Sequence, residues 1–402
     1  MIVRSKLPRV GTTIFTVMSQ RAAELGAVNL GQGFPDYDID PRLGDLVHEA
    51  MRQGHNQYAP MPGMPQLREA IAAKLDRSYS VRVDPDLEIT VTLGATEAIF
   101  SSVQALVAAG DEVVVFDPAY DSYEPAVQLA GGVCVHVPLQ PPRFRYDWDR
   151  LKAALSARTR MVIINSPHNP ACTCITAQDL ATLAELLRGR DICVIADEVY
   201  EHIVFDGRAH HSVLAHPELR QCSIAVFSFG KTLQATGLRV GYAVAPRTLT
   251  AELRKVHQFN TFTIATALQV AIARYLGERP DCGDLLRTFL GAKRDRLTAA
   301  LADSALLLPE AEGSFFQLID YRAISDLTDV EFADELLTRA HVATIPLSVF
   351  YQQAPPMTLL RLCFAKRDET LDEAAARLQA YARKRNGAAP AAVRPAPSGT
   401  LR

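Results

Sequence analysis

The chain has 402 residues, 48% of them hydrophobic, enough to fill one large core or two ordinary ones. Its 42 Lys and Arg against 45 Asp and Glu leave a net charge of −3 without a basic block, which argues against nucleic-acid or membrane-surface binding and for small-molecule partners. No apolar run approaches the roughly 20 residues that a bilayer span needs, and MIVRSKLPRVGTTIF lacks the apolar core of a secretion signal, so a cytoplasmic location is expected.

In chain order, Pro8, Gly11, Gly31, Gly33 and Pro35 mark residues 1 to about 40 as an irregular arm. Helical patterns follow at 41–53 and 65–77, separated by a loop in Asn56-Gln57-Tyr58-Ala59-Pro60 that exposes Tyr58. The middle of the chain alternates: strand 88–93, Gly94 as a tight turn, helix 95–107 and strand 112–116 read as a β-α-β unit. Helix 123–129, strands 133–137 and 161–165, helix 177–188, and strands 192–196, 224–227 and 241–245 continue it. Such alternation implies a mostly parallel sheet covered on both faces, with ligands collecting outside the carboxyl ends of its strands. Helices at 249–258, 263–276 and 284–302 lead to an α+β region with strands at 314–319, 342–345 and 359–364 and helices at 330–339 and 370–384. The last segment, NGAAPAAVRPAPSGTLR, has a disordered composition.

Seven cysteines, at 134, 172, 174, 193, 222, 282 and 363, sit mostly in apolar segments and read as reduced thiols. The single close pair, Cys172-Thr173-Cys174, matches neither zinc nor thioredoxin-type spacing, so no metal is expected.

Polar residues at the predicted strand ends carry the chemistry. Asn169 follows one strand in Ser166-Pro167-His168-Asn169-Pro170, Asp197 and Tyr200 follow another in Ala196-Asp197-Glu198-Val199-Tyr200, and Lys231 follows a third in Ser228-Phe229-Gly230-Lys231-Thr232. A lysine amine can form a Schiff base with an aldehyde and an arginine fork can grip a phosphate, so pyridoxal phosphate would satisfy both Lys231 and Arg239. Asp197 would hold the pyridine nitrogen's proton, and Asn169 and Tyr200 can donate to the phenolic oxygen. Gly94-Ala95-Thr96 at a helix start, with Ser228 and Arg239, would cradle the phosphate. Each residue alone has a plainer reading as a cap, a turn or a first-turn residue; their joint fall on one sheet edge favours the site.

SPHNPxxT, ADEVYEH, SFGKT with G-x-R-VGY, and Leu360-Arg361-Leu362-Cys363-Phe364 resemble the class I aminotransferases of pyridoxal phosphate fold type I. SKLPRVGTTIFTVMS, VNLGQGFPD, NQYAPMPG, DPAYDSY and IPLSVF resemble the methionine and kynurenine aminotransferase branch, and the similarity runs from about residue 5 to 385. It implies an α/β fold: a large domain at 41–283 with a mostly parallel seven-stranded sheet between helices, and a smaller α+β domain at 284–386. The arm at 1–40 would complete the smaller domain, and a disordered tail would occupy 387–402. It places the Schiff-base lysine on Lys231, the pyridinium aspartate on Asp197 and the phenolic-oxygen partners on Asn169 and Tyr200. Phosphate contacts fall on Ala95, Thr96, Ser228 and Arg239, and the aromatic stacked on the ring on Tyr120. Tyr58 would be lent by the neighbouring subunit of a homodimer, and Arg361, with Gly33, Phe34 and Asn169, would meet the substrate. Gly230 stands where many relatives have a second serine, and Ala171-Cys172 replaces the usual pair after the asparagine-proline.

The resemblance therefore implies transamination between an L-amino acid and a 2-oxo acid. Tyr120, Phe34 and Ile14 or Phe15 near the pocket favour methionine or aromatic side chains. Elimination from a cysteine conjugate is the rival activity on the same scaffold. A pyridoxal phosphate sensor without turnover is the rival from another class, disfavoured because the chain keeps the lysine and carries no added helix-turn-helix domain.

Overall fold

A computed structural model describes residues 4–8 and 10–387 of the chain. Of the tail expected at 387–402, all but Gly387, which ends the last helix, Asp368–Gly387, lies outside the described residues.

The strands are β1 (Val28–Asn29), β2 (Ile89–Thr92), β3 (Glu112–Asp117), β4 (Val133–Pro138), β5 (Thr159–Asn165), β6 (Cys193–Asp197), β7 (Ser223–Ser228), β8 (Gly241–Val244), β9 (Phe316–Asp320), β10 (Val342–Ala343), β11 (Ile345–Pro346) and β12 (Leu359–Cys363). Seven form the central sheet in the order β2-β8-β7-β6-β5-β3-β4. Neighbours from β4 through β7 run parallel, whereas β8 is antiparallel to both β7 and β2. Successive side chains on a strand point to opposite faces, and here both faces are dry. Val113, Val115, Ile163, Ile195 and Val226 pack in one core, while Val114, Phe116, Val162, Ile164, Val194 and Phe227 pack in the other. Continuous apolar strands follow from that double burial, and polar groups are left for the strand ends.

β9, β11 and β12 form a smaller antiparallel sheet in the order β11-β12-β9, and β1 pairs in parallel with β10. The chain's early residues thus join its late ones.

Four features depart from the sequence reading. The arm is not irregular throughout, because Ile14–Glu24 is a helix. Thr13 caps it by accepting the Thr16 N–H, and Met18 and Ala22, four residues apart, are its buried positions. The strands of the expected β-α-β unit, β2 and β3, are parallel but four strands intervene between them, because β2 closes the far edge against β8. A helix at Trp148–Ala154, capped by Asp147, was not foreseen; at seven residues its periodicity is too short to register. The single strand expected at 342–345 divides, Val342–Ala343 pairing with β1 and Ile345–Pro346 with β12.

A buried ion pair fastens the helix Pro65–Tyr79 to the turn after β6. Lys74 Nζ donates to Glu201 Oε1 at 2.5 Å and to the Tyr242 hydroxyl at 3.0 Å, and the Tyr79 hydroxyl donates to Glu201 Oε2 at 2.8 Å. Burial alone would raise the Glu201 carboxyl, but Lys74 overrides it and holds the pKa at about 2. This contribution is therefore complete above the carboxyl's unfolded value and is lost only as pH falls through about 2. Lys74→Met should leave the carboxylate buried and unpaired, at a cost of about 3–5 kcal/mol in unfolding free energy. Denaturant titration of the variant checks this; an unchanged midpoint would show that the helix is held by apolar packing alone.

Candidate active site

A cavity of about 250 Å³ opens where β5, β6 and β7 end. Its walls include Gly33, Ala95, Thr96, Tyr120, Asn169, Asp197, Tyr200, Ser228, Lys231, Arg239 and Arg361, which the sequence had singled out, brought together from the central sheet, the smaller antiparallel sheet and the arm. Gln32, Ile99, Asn165, Val199 and Phe316 complete it unforeseen, and of the expected pair Ile14 or Phe15 it is Phe15 that lines it.

Lys231 stands on a one-turn helix, Phe229–Thr232, entered from Ser228 at the end of β7. Its amine lies over the rings of Phe315 and Tyr200, at 4.9 and 5.5 Å, and donates to the Gly33 carbonyl at 3.4 Å. Burial lowers its pKa to about 8, and the Arg239 and Arg361 guanidiniums push the same way against Cys363 and Asp197. A larger share of neutral, nucleophilic amine near neutral pH is the consequence.

Asp197 ends β6 with its carboxylate buried. The Tyr123 hydroxyl donates to Oδ2 at 2.6 Å and the Val199 N–H to Oδ1 at 3.4 Å. Burial raises its pKa even so, against these two bonds and the charge of Lys231. No cation among the described residues lies within ion-pairing distance, so a protonated nitrogen presented from the cavity would supply the missing counter-charge. Asn165 ties this region together: its Nδ2 donates to the Asp197 carbonyl and its Oδ1 accepts the Asn169 N–H, both at 2.8 Å.

At the opposite wall the helix Gly94–Leu106 presents its N-terminus with Ala95 and Thr96 beside Arg239 and Ser228. Backbone N–H groups, a helix dipole and a guanidinium make a cradle for a dianion. Two glycines allow it. Gly94 has φ +75°, and a Cβ there would lie 2.8 Å from Arg239 Nη2. A Cβ on Gly241 would lie 2.7 Å from the Gly94 carbonyl carbon, so β8 could not close up behind the helix.

Arg361 on β12 is 1% exposed. Nη1 donates to Asn169 Oδ1 at 2.6 Å, Nη2 donates to the Gly31 carbonyl at 2.9 Å, and Nε has no partner. The guanidinium stacks over Phe316 at 3.9 Å, burial lowers its pKa, and no carboxylate among the described residues pairs with it. Such a group can take a carboxylate presented from the cavity.

Tyr58 and Phe34 do not line the cavity. Tyr58 is 85% exposed and packs edge-on against Phe262 at 5.5 Å; Phe34 is 45% exposed, and its carbonyl accepts from Lys366 at 2.7 Å. A serine at position 230, which the resemblance led one to expect, would be tight, since a Cβ there would sit 3.2 Å from Thr236 Cα. Among the residues that were missed, Asn165 could have been found by the same strand-end rule. Tyr123 could not, because it opens a helix and reaches Asp197 only through the fold.

The profile of the family described as Aminotransferase class I and II matches residues 26–378. Methionine aminotransferase of Escherichia coli (strain K12) is 51% identical over 379 residues, covering 94% of this chain and 98% of that protein. A crystal structure of an E. coli protein with methionine aminotransferase function superposes with a TM-score of 0.93 at 51% identity, covering 94% of this chain and all of the other. A probable N-succinyldiaminopimelate aminotransferase of Mycobacterium tuberculosis is 40% identical over 94% of this chain and 98% of its own length. Kynurenine–oxoglutarate transaminase 3 of Rattus norvegicus is 33% identical over 90% of this chain and 86% of its own length.

The depressed amine can be measured directly. Reductive methylation with formaldehyde and cyanoborohydride, followed by peptide mapping, should modify Lys231 with a rate that rises to a plateau above about 8, not near the ordinary lysine value of 10.5. A midpoint near the ordinary value would show that the cavity does not activate this amine.

Proposed function

Since the chain belongs to the class I and II aminotransferases, we propose that it moves the amino group of an L-amino acid to a 2-oxo acid with pyridoxal phosphate held on Lys231. One observation carries the reading: an activated lysine, an uncompensated carboxylate, an anion cradle and an unpaired guanidinium share one cavity. When bound, the cofactor supplies an aldehyde for the amine and a pyridine ring that draws electrons from the substrate's α-carbon.

Each residue then has a task. The N–H groups at Ala95 and Thr96, with Ser228 and Arg239, would hold the phosphate, Tyr120 would pack against the ring, and Asn169 and Tyr200 would donate to the phenolic oxygen. Asp197 would keep the ring nitrogen protonated by charge pairing. Arg361 takes the substrate carboxylate, its free Nε and its fork giving that group two donors, and so turns the α-hydrogen towards Lys231. The Lys231 amine, its pKa lowered by burial, would be the base that takes and returns the α-proton at Nζ. The Gly33 carbonyl accepts from that amine at 3.4 Å and so helps to place it in the cavity.

Phe15, Ile99 and Phe316 on the cavity wall favour an apolar or aromatic side chain over an acidic one, as does the relative named for methionine. Tyr58 acts across a homodimer interface, reaching the phosphate of the neighbouring chain; its 85% exposure and that of Phe259, at 90%, mark a surface suited to a second copy.

Incubation with methionine or an aromatic amino acid and a 2-oxo acid should yield the exchanged pair, and borohydride should fix the cofactor on Lys231. Pyruvate release from cysteine conjugates without amino exchange would overturn the reading in favour of a lyase. Arg361→Ala should keep the yellow cofactor but lose roughly 2–5 kcal/mol of transition-state stabilisation towards amino acids. Matching amines without a carboxylate should be affected far less. Equal losses on all of them would make Arg361 a structural residue.

A further inference from the structure

Asp197 depends on a residue outside the cavity. Among the described residues its one side-chain hydrogen bond comes from Tyr123, whose hydroxyl donates to Oδ2 at 2.6 Å. Tyr123 opens the helix Tyr123–Leu129, is 3% exposed and does not line the cavity. Its ring meets Tyr120 edge-on at 5.9 Å, so one side chain touches both the carboxylate at the cavity floor and the aromatic on its wall. We infer that Tyr123 is a positioning residue of the reaction, its hydroxyl fixing the Asp197 carboxylate and holding it in the ionised form opposite the cofactor's ring nitrogen. The inference rests on the cofactor reading above.

The physical case is a balance. Burial drives a carboxyl towards its neutral form, and a neutral acid could no longer hold the ring nitrogen's proton by charge. A phenol donates one hydrogen bond to the anion and stabilises it. Burial beside Asp197 raises the Tyr123 pKa well above 10, so this donor keeps its proton throughout the working range. Lys231, Tyr120, Tyr146 and Tyr200 are the other titratable groups that face Asp197, and none of them makes a hydrogen bond to its carboxylate. The 2.6 Å bond is therefore the adjustable element. It also fixes the rotamer, because Oδ1 has only the longer bond from the Val199 N–H.

Tyr123→Phe removes the oxygen and keeps the ring, so the edge contact to Tyr120 survives. Holoenzyme loaded with pyridoxal phosphate carrying nitrogen-15 in its ring reports the state of that nitrogen by NMR. In the variant the nitrogen should lose its proton at a pH about one to two units lower than in the wild type, matching a charge-assisted bond. kcat should fall about ten- to a hundredfold with KM changed less than threefold, and the thermal midpoint of the apoprotein should stay within a few degrees. If the variant folds poorly, 3-fluorotyrosine at position 123, a stronger donor of nearly the same shape, should shift the nitrogen titration the opposite way. Identical titrations in wild type and both variants would reduce Tyr123 to core packing. Absence of a borohydride-fixed adduct on Lys231 in the wild type would instead overturn the cofactor reading, so the two failures are told apart.

Discussion

Charge held out of water without a full set of partners governs this molecule. A buried carboxylate at Asp197, an amine at Lys231 and a guanidinium at Arg361 share one cavity, and none of them makes an ion pair with another described residue. Leaving charges in that condition costs stability. Binding a ligand of opposite charge would recover the cost, and the proposed cofactor and substrate would bring such charges, a cationic ring nitrogen and a carboxylate.

The double burial of the central sheet puts these groups where they are. With Val113 and Val114, or Ile163 and Ile164, committed to opposite cores, the strands have no face free for polar side chains. Chemistry moves to the carboxyl ends, at Asn165, Asp197 and Ser228, whose strands are adjacent in the order β5-β6-β7. The ion pair of Lys74 with Glu201 fastens the turn that follows β6, and His210 extends it by facing both the Tyr79 hydroxyl and the Ser166 carbonyl.

The segment from Leu30 to Tyr37 joins the smaller sheet to the lysine turn. Its carbonyls at Leu30, Gly31 and Phe34 accept from the Cys363 N–H, Arg361 and Lys366, and Asp36 accepts from the Arg367 N–H and the Thr370 hydroxyl. On the other side the Tyr37 hydroxyl donates to Gln234, whose amide donates to the Lys231 carbonyl, both at 2.6 Å. Arg361 and Lys231, 130 residues apart in sequence, are thus set against one another by a third segment that precedes both.

By itself the sequence determined the alternating strands and helices, the mostly parallel sheet, and the residues at strand ends that carry charge or a nucleophile. Those features are local: an apolar run of five or six residues, a glycine at a turn, a lysine just past a strand. Only the tertiary structure decided that β2 crosses the sheet to its far edge, that the arm holds a helix and pairs β1 with β10, and that Tyr123 reaches Asp197. It also decided that Tyr58 and Phe34 lie outside this chain's cavity while Asn165 and Phe316 line it. Periodicity reports which side of its own element a residue takes; it carries nothing about which distant element arrives there, since that is settled by the packing of whole faces against one another.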